Sequence, residues 1–116
     1  YLLKGFVRVQ SGATLTIEAG TIIYGENVSQ GALIIKPGGK IMAMGTELNP
    51  IVFTSEYTKP NSSRNPYYGD WGGIILLGNA KINVPGGTAS IEGPGDSYGG
   101  NDDADNSGTM QYVRIE

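Results

Sequence analysis

The chain contains no cysteine and no histidine. Without cysteine no disulfide can staple it, and without either residue no Ser-His or Cys-His nucleophile can be built from its own side chains. Tryptophan occurs once, and charged residues make up only 16% of the sequence. No charge-free apolar run approaches the roughly 20 residues needed to cross a bilayer, and this segment carries no signal-peptide pattern. The net charge is −3, and no Lys or Arg lies between Lys81 and Arg114. There is therefore no basic stripe for phosphates, and nucleic acid is not an expected partner.

Glycine is what the chain has in quantity, 19 of 116 residues, without the three-residue period of collagen. It punctuates a recurring motif of alternating apolar residues. Leu15-Thr16-Ile17-Glu18-Ala19-Gly20 returns eighteen positions later as Leu33-Ile34-Ile35-Lys36-Pro37-Gly38, and more loosely at Ile74-Ile75-Leu76-Leu77-Gly78. Repeats spaced by about 20 residues mark a solenoid. Strand side chains alternate faces, so each triplet sends two residues inward and one outward. Glycines between triplets supply the positive φ that sharp corners need.

Three families of triplets are expected to stack. The first holds Leu15/Ile17, Leu33/Ile35, Ile74/Leu76 and Met110 with Tyr112 or Val113. The second holds Ile22, Ile41/Ala43 and Ile82/Val84. The third holds Val7/Val9, Ile51/Phe53 and Ala89/Ile91. Three short strands per turn predict an all-β, right-handed parallel β-helix, a single segment over 1–116 with about three complete coils plus partial coils. A β-sandwich competes, but it does not explain a glycine after nearly every triplet. Both ends look cut from a longer polypeptide, so the remainder of that chain is an expected partner.

Segments 25–31, 56–70 and 93–108 interrupt the pattern and are expected to loop outward, where solenoids often carry their binding face. Ile34 and Ile75 point outward where polar residues are expected, so the outer face needs cover. Trp71 and Tyr68, folding back from the middle insert, would supply it. Glu18 and Lys36 occupy matching places in their triplets and are expected to face each other as a surface ion pair.

Asn49-Pro50-Ile51-Val52-Phe53-Thr54-Ser55 and Gly69-Asp70-Trp71-Gly72-Gly73-Ile74 resemble right-handed parallel β-helix repeats of the pectate-lyase-like superfamily. Residues 12–18, 71–80 and 98–108 are similar to secreted β-helix proteins of Bacteroidetes-type bacteria, mostly uncharacterised. The resemblance implies export to the extracellular space or cell surface, often with a C-terminal sorting domain. It says little about activity, because such proteins mostly lack an assigned one.

Two groups of residues are candidates for a site. Asp103-Ala104-Asp105-Asn106-Ser107-Gly108 matches the first half of a calcium loop, with oxygen side chains at alternate positions and glycine at the bend. Asn101, Asp102, Asp103 and Asp105 are its candidate ligands, and calcium its ion. Arg114 stands where an EF-hand needs a bidentate Glu. The same side chains could instead stabilise their own turns, and both readings stay open. Tyr57, Tyr67, Tyr68, Trp71 and Tyr98 form the second group, flat rings with polar tips that suit a glycan or another surface protein.

Catalytic residues are scarce. Glycosidases need two carboxyl groups flanking the scissile bond, and the outward strand positions Thr16, Ile34, Met42, Ile75 and Asn83 carry none. Lyases of the resembled type pair calcium-holding carboxylates with a basic residue, and Arg114 is the one candidate base. The expected function is a structural, adhesive or binding segment without catalysis of its own. The alternative is a carbohydrate-active module, either glycan-binding or part of a lyase or hydrolase completed by further coils.

Overall fold

The computed structural model describes all of residues 1–116. The chain winds as Leu2–Leu3 (β1), Phe6–Val9 (β2), Thr14–Ile17 (β3), Ile22–Gly25 (β4), Ala32–Ile35 (β5), Lys40–Met44 (β6) and Ile51–Ser55 (β7). A 3₁₀ turn at Glu56–Thr58 follows, then Gly73–Leu76 (β8), Ala89–Ser90 (β9), Ser97–Tyr98 (β10), Gly108–Gln111 (β11) and Val113–Ile115 (β12). Three parallel sheets result, in the spatial orders β1-β4-β7-β12, β2-β5-β8 and β3-β6-β11. Successive turns lie over one another, and the architecture is a parallel β-helix. Strands β2-β3-β4, β5-β6-β7 and β8-β11-β12 make three coils, and β1 is a fragment of one more.

The core is the set of inward columns. Val7 lies beside Leu33 and Leu33 beside Ile74; Val9, Ile35 and Leu76 follow in the same sheet. Ile17, Ala43 and Met110 form another column, and Ile23, Phe53 and Ile115 a third. Burial follows position in the stack. Leu33, Ile35, Ile41, Ile51 and Phe53 of the middle coil are fully buried, whereas Val7, Leu76 and Ile115 of the outer coils stay partly exposed. Each coil covers its neighbour and cannot cover itself.

The three families of triplets are corrected in detail. Leu33 and Ile74 share a column as expected, but Leu15 stacks on Ile41, in a different sheet. The true step from coil to coil runs from Val7 to Leu33 and from Leu15 to Ile41. The eighteen-residue similarity joins strands of different sheets because β3 and β5 end in the same kind of corner. Gly20 and Gly38 adopt φ of 79° and 80°, so the motif encodes a strand plus its corner and leaves the sheet unspecified. Met110 and Val113 fall in two different sheets, with Tyr112 turning the corner between them at positive φ.

Ile82 and Val84 form no strand, because the edge of β6 they would need is taken by β11. Ala89–Ser90 pairs antiparallel with Ser97–Tyr98 in a separate hairpin, the edge of β7 being occupied by β12. The whole of residues 77–107 is thus one excursion between β8 and β11. Glu18 and Lys36 do not face each other either. They end strands of different sheets, and Lys36 Nζ pairs with Asp96 at 2.8 Å.

Asp96 also receives three hydrogen bonds from Arg8, whose Cα lies beside that of Ile34. These bonds tie the hairpin excursion to β2 and to the end of β5, and Ile34 of β5 is fully buried. The expected lid is corrected accordingly. Tyr68 covers nothing, being 92% exposed. Trp71 packs instead against the core, into the space that the missing side chain of Gly25 leaves; a Cβ on Gly25 would sit 2.3 Å from that of Trp71. No helix in the chain is long and apolar enough to cross a membrane.

Candidate binding cleft

Strand β7 ends in Ser55, whose hydroxyl caps the 3₁₀ turn by accepting from Tyr57 N at 3.1 Å. Its proton goes to Asp70 Oδ2 at 2.8 Å. Asp70 is the organising residue of the segment that follows. The Arg64 guanidinium donates to both of its carboxylate oxygens, and Tyr67 N donates at 2.8 Å. The Arg64 charge at its side holds the Asp70 carboxyl down to about 2, and the bonds from Tyr67 N and Ser55 act in the same direction against the cost of burial. Arg64 in turn lies 3.7 Å over the Tyr57 ring.

The insert is also tied to the corner of the coil before it. Asn27 Nδ2 donates to Asp70 O at 3.0 Å, Asn27 N to Glu56 Oε1 at 2.7 Å, and Gln30 Nε2 to Gly69 O at 3.2 Å. Lys59 Nζ sits 4.7 Å over the Tyr24 ring. A loop with this many anchors presents its remaining side chains on a fixed base.

Those side chains line a cleft of about 660 Å³. Its floor is Thr54 and Ser55 of β7, and its walls include Thr58, Tyr67, Tyr68, Trp71 and Glu116. Tyr67 and Tyr68 meet edge to face, ring centres 5.3 Å apart, and are 74% and 92% exposed. Trp71 Nε1 donates to Glu116 O at 2.9 Å, which fixes the indole at the rim. Thr54 is 3% exposed, and its hydroxyl is the one buried side-chain polar atom without a partner.

Three of the five aromatics singled out in the sequence therefore converge: Tyr67, Tyr68 and Trp71. Tyr57 lies beneath Arg64 and does not line the cleft, and Tyr98 belongs to β10 in the other excursion. The acidic loop is arranged differently. Asp102 Oδ1 accepts from Ala104 N at 3.0 Å, Asp103 pairs with Lys81 Nζ at 3.1 Å, and Asp105 Oδ2 accepts from Asn79 N at 2.7 Å. Asn101 is exposed. No three acidic side chains come together as a set that could hold a metal ion.

Sequence reasoning missed the partners of two of the three carboxylates with shifted acidity. Asp70 and Asp96 are each held below the ordinary carboxylate range, Asp96 by Arg8 first and Lys36 second. For Asp70 the signal was within reach, since Arg64 is only six positions away. For Asp96 there was none, because Arg8 lies in the first coil.

No curated protein and no solved structure gives a significant match to the chain. A family model described as the pectate-lyase-like β-helix domain does match, over residues 1–116, in agreement with the stacked parallel sheets. The chain belongs to the pectate-lyase-like β-helix domain family.

Proposed function

We propose that this chain is a non-catalytic binding segment of an exported β-helix protein, in which stacked coils hold the cleft of the 56–72 insert out for contact. The observation that carries the reading is the state of Asp70. A carboxylate at the floor of an aromatic cleft could serve as an acid or base, but this one accepts from Arg64, Tyr67 N and Ser55 and is held at about 2. A general acid near neutral pH needs a raised value, not a lowered one. The exposed rings of Tyr67 and Tyr68 then have no structural duty and are available for contact. Location at the cell surface or beyond it is part of the same proposal, supported by the family.

The test is retention of the full chain on glycan arrays and on protein-coated surfaces, alongside Tyr67→Ala/Tyr68→Ala. Retention that disappears in the double variant supports the reading. Release of new reducing ends, or of unsaturated uronate products, from any polysaccharide in the same samples would replace it with the carbohydrate-active enzyme. Equal retention of both proteins would remove the cleft from the account.

A further inference from the structure

Resting on the cleft being a binding site, we infer that its ligand is an uncharged saccharide, with neutral pyranose rings and neither uronates nor amino sugars. The charge of the lining carries the argument. Asp70 and Glu116 line the cleft, and no Lys or Arg does. The nearby cations are already engaged: Arg64 with Asp70 and Tyr57, Arg114 with Glu116, and Lys59 with the Tyr24 ring. A uronate entering here would lose water and find no free cation, since Arg64 and Arg114 already serve the cleft's own carboxylates, which is an unfavourable exchange.

An ammonium group fares little better. The carboxylates it would seek are occupied by Arg64, Ser55 and Tyr67 N at Asp70, and by Arg114 at Glu116. Displacing a bonded guanidinium to admit an amine exchanges one ion pair for another and gains nothing.

What the cleft offers is apolar ring surface beside neutral hydroxyls. Tyr67 and Tyr68 stand at 63° to one another and present a face and an edge. A pyranose has C–H faces that pack on such rings and equatorial hydroxyls at its rim. Thr58 and the two phenols can exchange hydrogen bonds with those hydroxyls. The volume lies in the range of about 300–1,000 Å³ typical of small-ligand sites.

The experiment is calorimetric titration of the full chain with cellohexaose, xylohexaose and mannohexaose, in parallel with hexagalacturonate (with and without calcium) and the chitosan hexamer. Trp71 fluorescence, at the rim, provides a second readout. The expected result is binding of at least one neutral oligosaccharide with an affinity insensitive to salt. Tyr68→Ala should weaken it about tenfold or more, and Tyr67→Ala several-fold. Thermal melts of both variants establish that they remain folded. Tyr68-dependent binding of hexagalacturonate or the chitosan hexamer alone overturns the inference and leaves the binding site standing. Neutral-sugar binding indifferent to Tyr67 and Tyr68 overturns it as well. Tyrosine-dependent retention on protein surfaces, with no saccharide bound, defeats the inference while sparing the site; the absence of any tyrosine-dependent binding defeats both.

Discussion

Arg8 on the first coil grips Asp96 in the late excursion through three hydrogen bonds, 3.2, 3.1 and 2.9 Å long. Lys36 adds a fourth contact from the neighbouring coil at 2.8 Å. One nearly buried carboxylate thus fastens the hairpin of β9 and β10 across two coils. Removing its charge leaves two cations facing each other over an apolar surface. Asp96→Asn should therefore loosen the excursion before the stack. Hydrogen exchange should accelerate across residues 89–98 and reach Ile34, with the melting temperature lower by several degrees. Unchanged exchange in that hairpin would show that Asp96 is not its fastening.

Acid should act on the same bonds. Asp96 is held below the ordinary carboxylate range and Asp70 at about 2, so the folded chain keeps both ionised at pH values where the unfolded chain has begun to take up protons. The stability they contribute is complete above about pH 4, the usual carboxylate value. It falls away as the pH drops toward 2. Melting curves between neutral pH and pH 2 should show this loss. An Asp70→Asn variant should start lower at neutral pH and decline less steeply. Parallel slopes for the two proteins would rule out Asp70 as a source of the acid sensitivity.

The local grammar of this fold is legible in its sequence, and its stacking order is not. Alternation and glycine corners identify β2 through β8 because each strand writes its own pattern. Which strand lies on which depends on corner lengths, and Leu15-Thr16-Ile17 and Leu33-Ile34-Ile35 look alike while belonging to different sheets. Ile82-Asn83-Val84 alternates equally well and forms no strand, since pairing requires an unoccupied edge that a neighbouring segment had already filled. The aromatic cleft was half visible. Tyr67, Tyr68 and Trp71 are adjacent in sequence, but Thr54 and Glu116 reach them only through coil stacking.

That stacking makes a graded prediction for the Ile23, Phe53 and Ile115 column. Phe53 is fully buried between two coils, so Phe53→Ala should cost about 3–5 kcal/mol, the transfer term plus a cavity closed on both sides. Ile115, on the outer coil and 58% exposed, should tolerate alanine at less than about 1 kcal/mol. Urea denaturation of the full chain measures both. Comparable losses at the two positions would contradict the stacked burial.

Asp105 separates two readings of the acidic loop. Its Oδ2 accepts from Asn79 N at 2.7 Å and joins the two ends of the long excursion. Asp105→Ala would leave that N–H without its partner, at a cost of about 1–2 kcal/mol. If the carboxylate acts in this way alone, the loss should be equal in calcium and in excess chelator. A melting temperature that rises with calcium in the wild type, and not in the variant, would establish an ion site instead.

Thr54 Oγ1 is a polar atom that the fold leaves unsatisfied. Its hydroxyl is buried at the cleft floor without a hydrogen-bond partner, a state that costs about 1–3 kcal/mol relative to a satisfied group. Valine keeps the β-branched shape that the strand prefers and removes the unsatisfied atom. Thr54→Val should therefore raise stability by about 1 kcal/mol in urea denaturation. A destabilised Thr54→Val would mean that the hydroxyl already has a partner.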